Sequence, residues 1–349
     1  MLLKSLISKG VEAISTAYPE REAREMVYSF LEDLVGTKRH THIVEPEYEV
    51  ADEAAEAAMS GFERMASGEP LQYVTGHADF YGRRFHVTPD VLIPRPETEL
   101  LCREVLVESP GGQKSGNGSF APPRRGRGPL CGRGPLELLA SRTSIVDLCT
   151  GSGCIAWTLA LEMPGAEVTA VDISEGALSV ASSQDFSEET ARTGAVPPKF
   201  IRADVLADVP DVLRRGEGFD ILVSNPPYVM DKEKALMRTN VLDHEPHLAL
   251  FVSDDDPLVF YRAVSRWAQA LLRPGGFGIV EINEALGPET AAVFEADGFV
   301  DVKVIKDLSD RDRFVRFRSP WPSPAGPLLI RLQRSTTASV RMPSATIIR

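Results

Sequence analysis

The sequence predicts an α/β protein in which helices cover both faces of a mostly parallel seven-stranded sheet, preceded by a small helical domain and a β-hairpin. Two patterns carry this prediction. Apolar residues repeat at helical spacing from Leu2 to about Ser67, and short apolar strands alternate with helical stretches from Ser144 onward. The length of 349 residues supports more than one domain, since a domain usually has about 100–200 residues.

The composition is that of an ordinary globular chain with an acidic balance: 43% hydrophobic, 25% charged and a net charge of -12. Nucleic-acid affinity depends on cationic contacts, so the charge disfavours bulk nucleic-acid binding but leaves a local basic patch possible. The cysteines form no CxxC pair, and we expect reduced thiols at Cys102, Cys131, Cys149 and Cys154. We see no signal peptide and no apolar run near 20 residues, and expect a soluble cytoplasmic protein without a membrane partner.

Residues 1–75 form the first predicted unit, a helical domain. Two apolar stripes and an alanine-rich third segment, 51–65, indicate antiparallel helices. No cluster of reactive groups accompanies them, so we interpret the unit as an accessory domain that packs or presents a substrate. Residues 76–95 form a β-hairpin linker, because apolar and polar residues alternate around Gly82 before the chain reaches Pro94-Arg95-Pro96.

Residues 96–318 form the main predicted domain, which opens with a helix at Glu97. The predicted strands are Ile145–Cys149, Glu167–Val171, Lys199–Arg202, Asp220–Ser224, Gly278–Ile282, Val302–Ile305 and Phe314–Phe317. The predicted helices are Ile155–Glu162, Glu175–Ser183, Pro257–Leu272 and Pro288–Ala296. A segment rich in glycine, proline and arginine, 109–135, predicts a flexible insertion, and residues 319–349 predict an irregular tail.

The first motif that carries chemistry joins a strand to a helix through Cys149-Thr150-Gly151-Ser152-Gly153. Glycines let the backbone approach a ligand, and the helix start offers unpaired N–H groups. Asp172 ends the next strand about 20 residues later, where a carboxylate binds ribose hydroxyls. Asp204 ends the third strand, placed to meet an adenine amine. Gly151-x-Gly153-x-x-Ala156 also fits the dinucleotide fingerprint, so this motif alone leaves NAD and S-adenosyl-L-methionine open.

The second motif is Asn225-Pro226-Pro227-Tyr228, at the carboxyl end of the fourth strand. The two prolines fix the backbone, so the Asn225 amide and the nearby carbonyls point in set directions. Such acceptors can hold the two N–H groups of a planar amide or aromatic amine and aim its lone pair at an electrophilic methyl group. Tyr228 would offer a flat face to that planar group.

With these motifs the sequence resembles the release factor glutamine methyltransferases, also called PrmC or HemK, a family of class I S-adenosyl-L-methionine-dependent enzymes. The resemblance runs through Arg318. It also rests on the segments Gly68–Tyr73, Phe80–Gly82, Pro94–Glu99, Glu245–Leu250, Pro274–Gly276 and Lys306–Arg313.

The resemblance implies a Rossmann-like methyltransferase sheet and methyl transfer from S-adenosyl-L-methionine, without a metal. The acceptor would be the glutamine amide in the Gly-Gly-Gln motif of class-1 peptide chain release factors, with no direct nucleic-acid binding. Residue by residue, it implies that Thr150, Gly151, Ser152 and Gly153 wrap the methionine part, with backbone from Cys149. Asp172 would bind the ribose, Asp204 or Val205 the adenine, and Asn225, Pro226, Pro227 and Tyr228 the target glutamine.

Other readings stay open at the level of sequence. A DNA adenine methyltransferase uses Asn-Pro-Pro-Tyr on base amines, although it must also flip a base and hold a duplex. An NAD-dependent oxidoreductase explains the glycine turn and Asp172 but leaves Asn225–Tyr228 without a role, and a non-catalytic binding module is a third alternative.

Smaller signals receive brief interpretations. Glu97 either shapes the cofactor pocket or favours the helix start electrostatically. We expect no metal at His244 and His247. The Gly111-Gly112-Gln113 triplet mimics the substrate by chance. Ile282-Asn283 stands where the family commonly has a glycine nearby, and we expect it to lie away from the methyl-transfer site.

Overall fold

The computed structural model describes residues 1–109, 143–214 and 216–321. Nearly all of the predicted insertion 109–135 lies outside the described residues, together with Cys131 and the Gly111-Gly112-Gln113 triplet. The predicted tail is described only for residues 319–321.

A small helical domain occupies the start of the chain. Its helices are α1 (Leu3–Ile14), α2 (Glu20–Val35), α3 (Thr41–Val44), α4 (Asp52–Ala66) and α5 (Leu71–Thr75). The predicted apolar stripes meet in a core of their own, where Leu6, Ile14 and Val27 are fully buried. Gly61 lets α4 approach α2 closely, since a Cβ there would lie 2.2 Å from the Phe30 ring.

The remaining described residues form a hairpin and a sheet domain. The strands are β1 (His77–Phe80), β2 (Arg83–His86), β3 (Ser144–Leu148), β4 (Glu167–Asp172), β5 (Lys199–Arg202), β6 (Phe219–Ser224), β7 (Val229–Met230), β8 (Phe251–Val252), β9 (Leu272–Glu281), β10 (Val300–Lys306) and β11 (Asp312–Arg318). The helices are α6 (Pro96–Glu108), α7 (Cys154–Glu162), α8 (Glu175–Ser182), α9 (Ser187–Thr193), α10 (Thr239–His244), α11 (His247–Leu250), α12 (Val259–Leu271) and α13 (Gly287–Ala296), with a 3-10 helix at Asp231–Leu236.

The hairpin of β1 and β2 is packed firmly against the sheet domain. Phe80 and Phe85 are buried in the same core as residues of α6, α7 and β3. Arg83 donates to the carboxylates of Glu162 on α7 and Glu189 on α9, each at 2.7 Å. The predicted linker is therefore held in place by apolar burial and by ion pairs.

The main sheet has seven strands in the order β10-β11-β9-β6-β3-β4-β5. β11 runs antiparallel to both of its neighbours and the other pairs are parallel. This confirms the predicted fold class, a Rossmann-like sheet with helices. All seven predicted strands are present, although β9 begins at Leu272 rather than Gly278. Helix α6 begins at Pro96 rather than Glu97, because the fixed φ of proline suits the first helical position.

The strand order reverses at β3, which places the site. The chain continues from β3 to β4 on one side and later returns to β6 on the other, and ligands bind α/β sheets at such a switch point. Leu148 of β3 pairs with Ser224 of β6, the last residue of each strand. Cys149 and Asn225, the first residues of the two motifs, therefore leave the sheet side by side.

Candidate active site

A cavity lies over the carboxyl ends of β3, β4 and β6. Its walls come from both predicted motifs and from two further segments, residues 90–98 and 246–260. The lining residues are Asp90, Val91, Leu92, Pro94, Arg95, Thr98, Cys149, Thr150, Gly151, Ser152, Cys154, Ile155, Asp172, Ile173, Ser174, Ala177, Ala203, Asp204, Val205, Leu206, Asn225, Pro227, Pro246, Leu248, Ala249 and Phe260. The glycine turn and the asparagine–proline corner thus share one space.

The glycine turn has an unusual backbone. Cys149, Gly151 and Gly153 have φ angles of 60°, 55° and 79°, and a side chain as large as cysteine rarely adopts this left-handed region. Residues 149–152 line the cavity. Gly153 lies behind the wall, where a Cβ would stand 3.0 Å from the Cβ of Ala181. Gly153 therefore serves the close packing of α7 on α8, and the predicted ligand contact rests on the four residues before it.

Two carboxylates support this turn from below. Asp147 is fully buried and accepts the Thr150 hydroxyl at 2.6 Å. Burial raises the pKa of Asp147 to about 7, although the Thr150 hydrogen bond opposes the rise. Asp172 accepts Gly151 N–H and Ser174 N–H on its two oxygens, each at 2.9 Å. Burial also raises the pKa of Asp172, against the effect of those backbone donors.

The placement of Asp172 suits its predicted role. An ionised carboxylate offers about four acceptor positions, so Asp172 can hold the turn and still accept ribose hydroxyls from the cavity side. Asp204 and Val205 lie on the same wall, after β5. Asp204 accepts Leu206 N–H at 2.8 Å, which fixes the local turn. The three strand ends thus present their predicted residues to one cavity.

The asparagine–proline corner is anchored by buried side chains. The Asn225 amide Nδ2 donates to Thr98 Oγ1 at 3.2 Å, and the Thr98 hydroxyl donates to Glu281 Oε2 at 2.7 Å. The Tyr228 hydroxyl donates to Glu281 Oε1 at 2.9 Å. Asn225 and Pro227 line the cavity, whereas Pro226 and Tyr228 stand outside the set of lining residues. Tyr228 thus directs its hydroxyl into the protein, where burial raises its pKa.

Sequence reasoning missed several residues around this corner. Thr98 lies inside the quoted segment Pro94–Glu99, but the role there was considered for Glu97, which is exposed and off the cavity wall. Asn283 was expected to lie away from the site, and this is wrong. Its Nδ2 donates to the Tyr228 carbonyl at 3.2 Å and to Glu233 at 2.8 Å. The available signal was a polar residue just after a buried strand.

A buried ion pair joins the two further segments of the cavity wall. The side chain of Glu245 is 1% exposed, and its carboxylate accepts Arg95 Nη2 at 2.7 Å and Ile93 N–H at 3.2 Å. Arg95 precedes α6, and Glu245 precedes α11. The pair therefore holds the residues on either side of the cavity at a fixed separation.

The remaining polar groups narrow the chemistry. Within residues 1–109, 143–214 and 216–321, no group of three or more His, Cys, Asp or Glu side chains could hold a metal ion. Cys102, Cys149 and Cys154 are free, and burial raises the pKa of Cys154 to about 12, so its thiol stays protonated. In the same ranges, none of the helices has the length and apolar character needed to span a membrane.

Such a site can bind an adenosyl cofactor along the strand ends and hold a planar nitrogen group beside it. Comparisons with known proteins agree. Residues 5–76 match the PrmC N-terminal domain model, and residues 136–248 match the methyltransferase small domain model. A release factor glutamine methyltransferase of Bacteroides thetaiotaomicron is 40% identical over 252 residues, 72% of this chain and 77% of that protein. One from Flavobacterium psychrophilum is 32% identical over 317 residues, 90% of this chain and 99% of that protein.

A solved structure, the release factor-specific protein-(glutamine-N5) methyltransferase of Alicyclobacillus acidocaldarius, is 26% identical with a TM-score of 0.36, covering 68% of this chain and 99% of that one. The sheet order, the glycine turn and the methyltransferase domain match together define an S-adenosyl-L-methionine-dependent methyltransferase. With the N-terminal domain model and the full-length relatives added, the assignment becomes specific: the chain belongs to the release factor glutamine methyltransferase family.

Proposed function

We propose that this enzyme methylates the side-chain nitrogen of the glutamine in the Gly-Gly-Gln motif of class-1 peptide chain release factors. The observation that carries the proposal is the shared cavity of the glycine turn and Asn225. Its family relatives are named for the same reaction. The enzyme would act in the cytoplasm, where translation ends, with a protein rather than a nucleic acid as substrate.

S-adenosyl-L-methionine, when bound, supplies an electrophilic methyl group on a positively charged sulfur. Cys149 through Ser152 would surround the methionine part, with Gly153 setting the turn behind them. Asp172 would accept the ribose hydroxyls, and Asp204 or Val205 would contact the adenine. These are the residues that line one continuous wall.

The residues of the corner supply orientation rather than acid or base catalysis. Asn225 Oδ1 and the Pro226 carbonyl would accept the two N–H groups of the glutamine amide. This geometry turns the weakly nucleophilic nitrogen lone pair toward the methyl group, a positioning effect that contributes several kcal/mol. The N–C bond forms as the S–C bond breaks, sulfur keeps the electron pair, and the nitrogen then loses a proton to water. The coproduct is S-adenosyl-L-homocysteine.

The test is transfer of radiolabelled methyl groups to three acceptors in parallel. These are a purified release factor, the same factor with its motif Gln→Ala, and duplex DNA. We expect label only on the unaltered factor. Label on DNA would support the DNA adenine alternative, and equal label on both factor forms would overturn the assignment of the glutamine as acceptor.

A further inference from the structure

A one-way chain of hydrogen bonds lies behind Asn225. It begins at Glu281, at the end of β9, which is 1% exposed and lies off the cavity wall. Thr98 on α6, 2% exposed, links Glu281 to Asn225 through bonds of 2.7 Å and 3.2 Å. Tyr228 reaches the second oxygen of Glu281 at 2.9 Å. Three segments far apart in sequence thus converge on one buried carboxylate.

The donors and acceptors in this chain fix its direction. An ionised carboxylate only accepts hydrogen bonds, so the single Thr98 hydroxyl hydrogen is committed to Glu281. The Thr98 oxygen can then only accept, which requires the amino half of the Asn225 amide on its side. The flipped amide has the same shape but would place two oxygens with no hydrogen between them. The amide carbonyl must therefore face away from Thr98.

Neighbouring charges act on Glu281 in both senses. Burial raises the pKa of Glu281, while the hydrogen bonds from Thr98 and Tyr228 and the charge of Arg313 on β11 favour its ionised form. Glu97 on α6 opposes ionisation. Hydrogen bonds to a charged acceptor are stronger than neutral ones, and linked bonds polarise one another in a low-dielectric interior. The chain thus strengthens the Asn225 carbonyl as an acceptor.

We propose that Glu281 is a positioning residue for methyl transfer, which acts through Thr98 to hold the Asn225 amide with its carbonyl toward the substrate nitrogen. This rests on the proposed function, since that carbonyl must accept an N–H of the target glutamine. A flipped Asn225 would instead present its own N–H groups, which would bind the lone pair needed for attack. Tyr228 provides the second fixed point of the corner through the same carboxylate.

Glu281→Gln tests the direction of the chain. The glutamine amide can donate to the Thr98 oxygen, which frees the hydroxyl hydrogen for Asn225 Oδ1 and favours the flipped amide. We expect kcat for release factor methylation to fall about tenfold to a hundredfold, the scale of a lost positioning effect. The Kd for S-adenosyl-L-methionine, measured by titration calorimetry, should stay within about threefold, because Glu281 does not line the cavity. Wild-type kcat in Glu281→Gln would overturn the proposal.

Thr98→Val and Thr98→Ser form a matched pair that does not alter the buried charge. Valine keeps the shape but removes the hydroxyl, and serine keeps the hydroxyl. We expect Thr98→Val to lose kcat as Glu281→Gln does and Thr98→Ser to retain it within about threefold. Equal loss in both would show that the methyl group of Thr98 matters for packing, and would overturn the chain.

An NMR measurement separates failure of this proposal from failure of the proposed function. In the wild-type protein, one Nδ2 hydrogen of Asn225 should exchange slowly with solvent because it is bonded to Thr98. That protection should disappear in Thr98→Val and persist in Thr98→Ser. If the wild type labels no release factor, the proposed function fails, and the exchange data still decide the orientation of Asn225. A rapidly exchanging amide in the wild type would overturn the chain.

Discussion

At the scale of single residues, the site depends on buried carboxylates that accept hydrogen bonds. Asp172 fastens the glycine turn to the end of β4, Asp147 holds Thr150 from beneath, and Glu281 anchors the corner. Each is removed from water, which penalises its charged form. The protein tolerates this cost where the carboxylate fixes backbone or side chains that face the cavity.

Asp147 gives a pH-dependent prediction. Its folded pKa of about 7 lies above the ordinary value near 3.9, so the folded chain keeps a proton that the unfolded chain has lost. The free energy of unfolding therefore falls as pH rises from about 4 to about 7. Asp147→Asn removes this dependence. Between pH 5 and pH 8, urea unfolding should show the variant gaining about 2 kcal/mol relative to the wild type. Parallel pH profiles for the two proteins would contradict the account.

The residues that carry chemistry were predictable to different degrees. Asp172 and Asn225 follow from strand ends and motif spacing, which are local in sequence. Thr98 and Glu281 are separated by 183 residues, and no local pattern reports a hydrogen bond between them. Asn283 was placed wrongly for the same reason, since its partner Tyr228 lies on another strand connection.

At the scale of elements, the cavity wall is held by contacts between segments rather than by long helices. The seven strands were predictable because each is a short apolar run bounded by turns. Helices α9, α10 and α11 and strands β7 and β8 were missed. They have two to seven residues each, and such short elements depend on tertiary contacts rather than on intrinsic propensity. The bonds from Arg95 and Ile93 to Glu245 are examples of those contacts.

This ion pair predicts unequal effects of removing its two partners. Arg95→Ala leaves the carboxylate of Glu245 buried with Ile93 N–H as its printed backbone donor, and should lower the free energy of unfolding by about 3 kcal/mol. Glu245→Ala should cost less, because the Arg95 side chain is 31% exposed and can turn to water. Urea denaturation of both variants measures the difference.

The exposed pair of Arg24 and Glu20 on α2 provides the control for that comparison. Its side chains are 44% and 71% exposed, so Arg24→Ala should cost about 0.5 kcal/mol or less. Equal costs for Arg95→Ala and Arg24→Ala would contradict the view that the pair at Glu245 holds the wall through a buried charge.

At the scale of the whole molecule, the N-terminal helices rest on the parts of the chain that surround the cavity. Glu22 on α2 pairs with Arg238 at 2.6 Å, next to α10. Asp33, at the other end of α2, contacts Arg84 and His77 of the hairpin at 2.9 Å and 3.0 Å. One helix thus spans from the linker to the segment before the cavity wall, an arrangement that periodicity in the sequence could not reveal.

The central claim is that the corner at Asn225 aligns a glutamine amide with the methyl group held over the glycine turn. The most direct test is mass spectrometry of a release factor after incubation with the wild type or with Asn225→Ala, together with the cofactor Kd of each. We predict one added methyl group on the motif glutamine with the wild type and none with the variant. The Kd should agree within about threefold, since Asn225 orients the acceptor. A methylated glutamine with Asn225→Ala, or loss of cofactor binding in that variant, would contradict the claim.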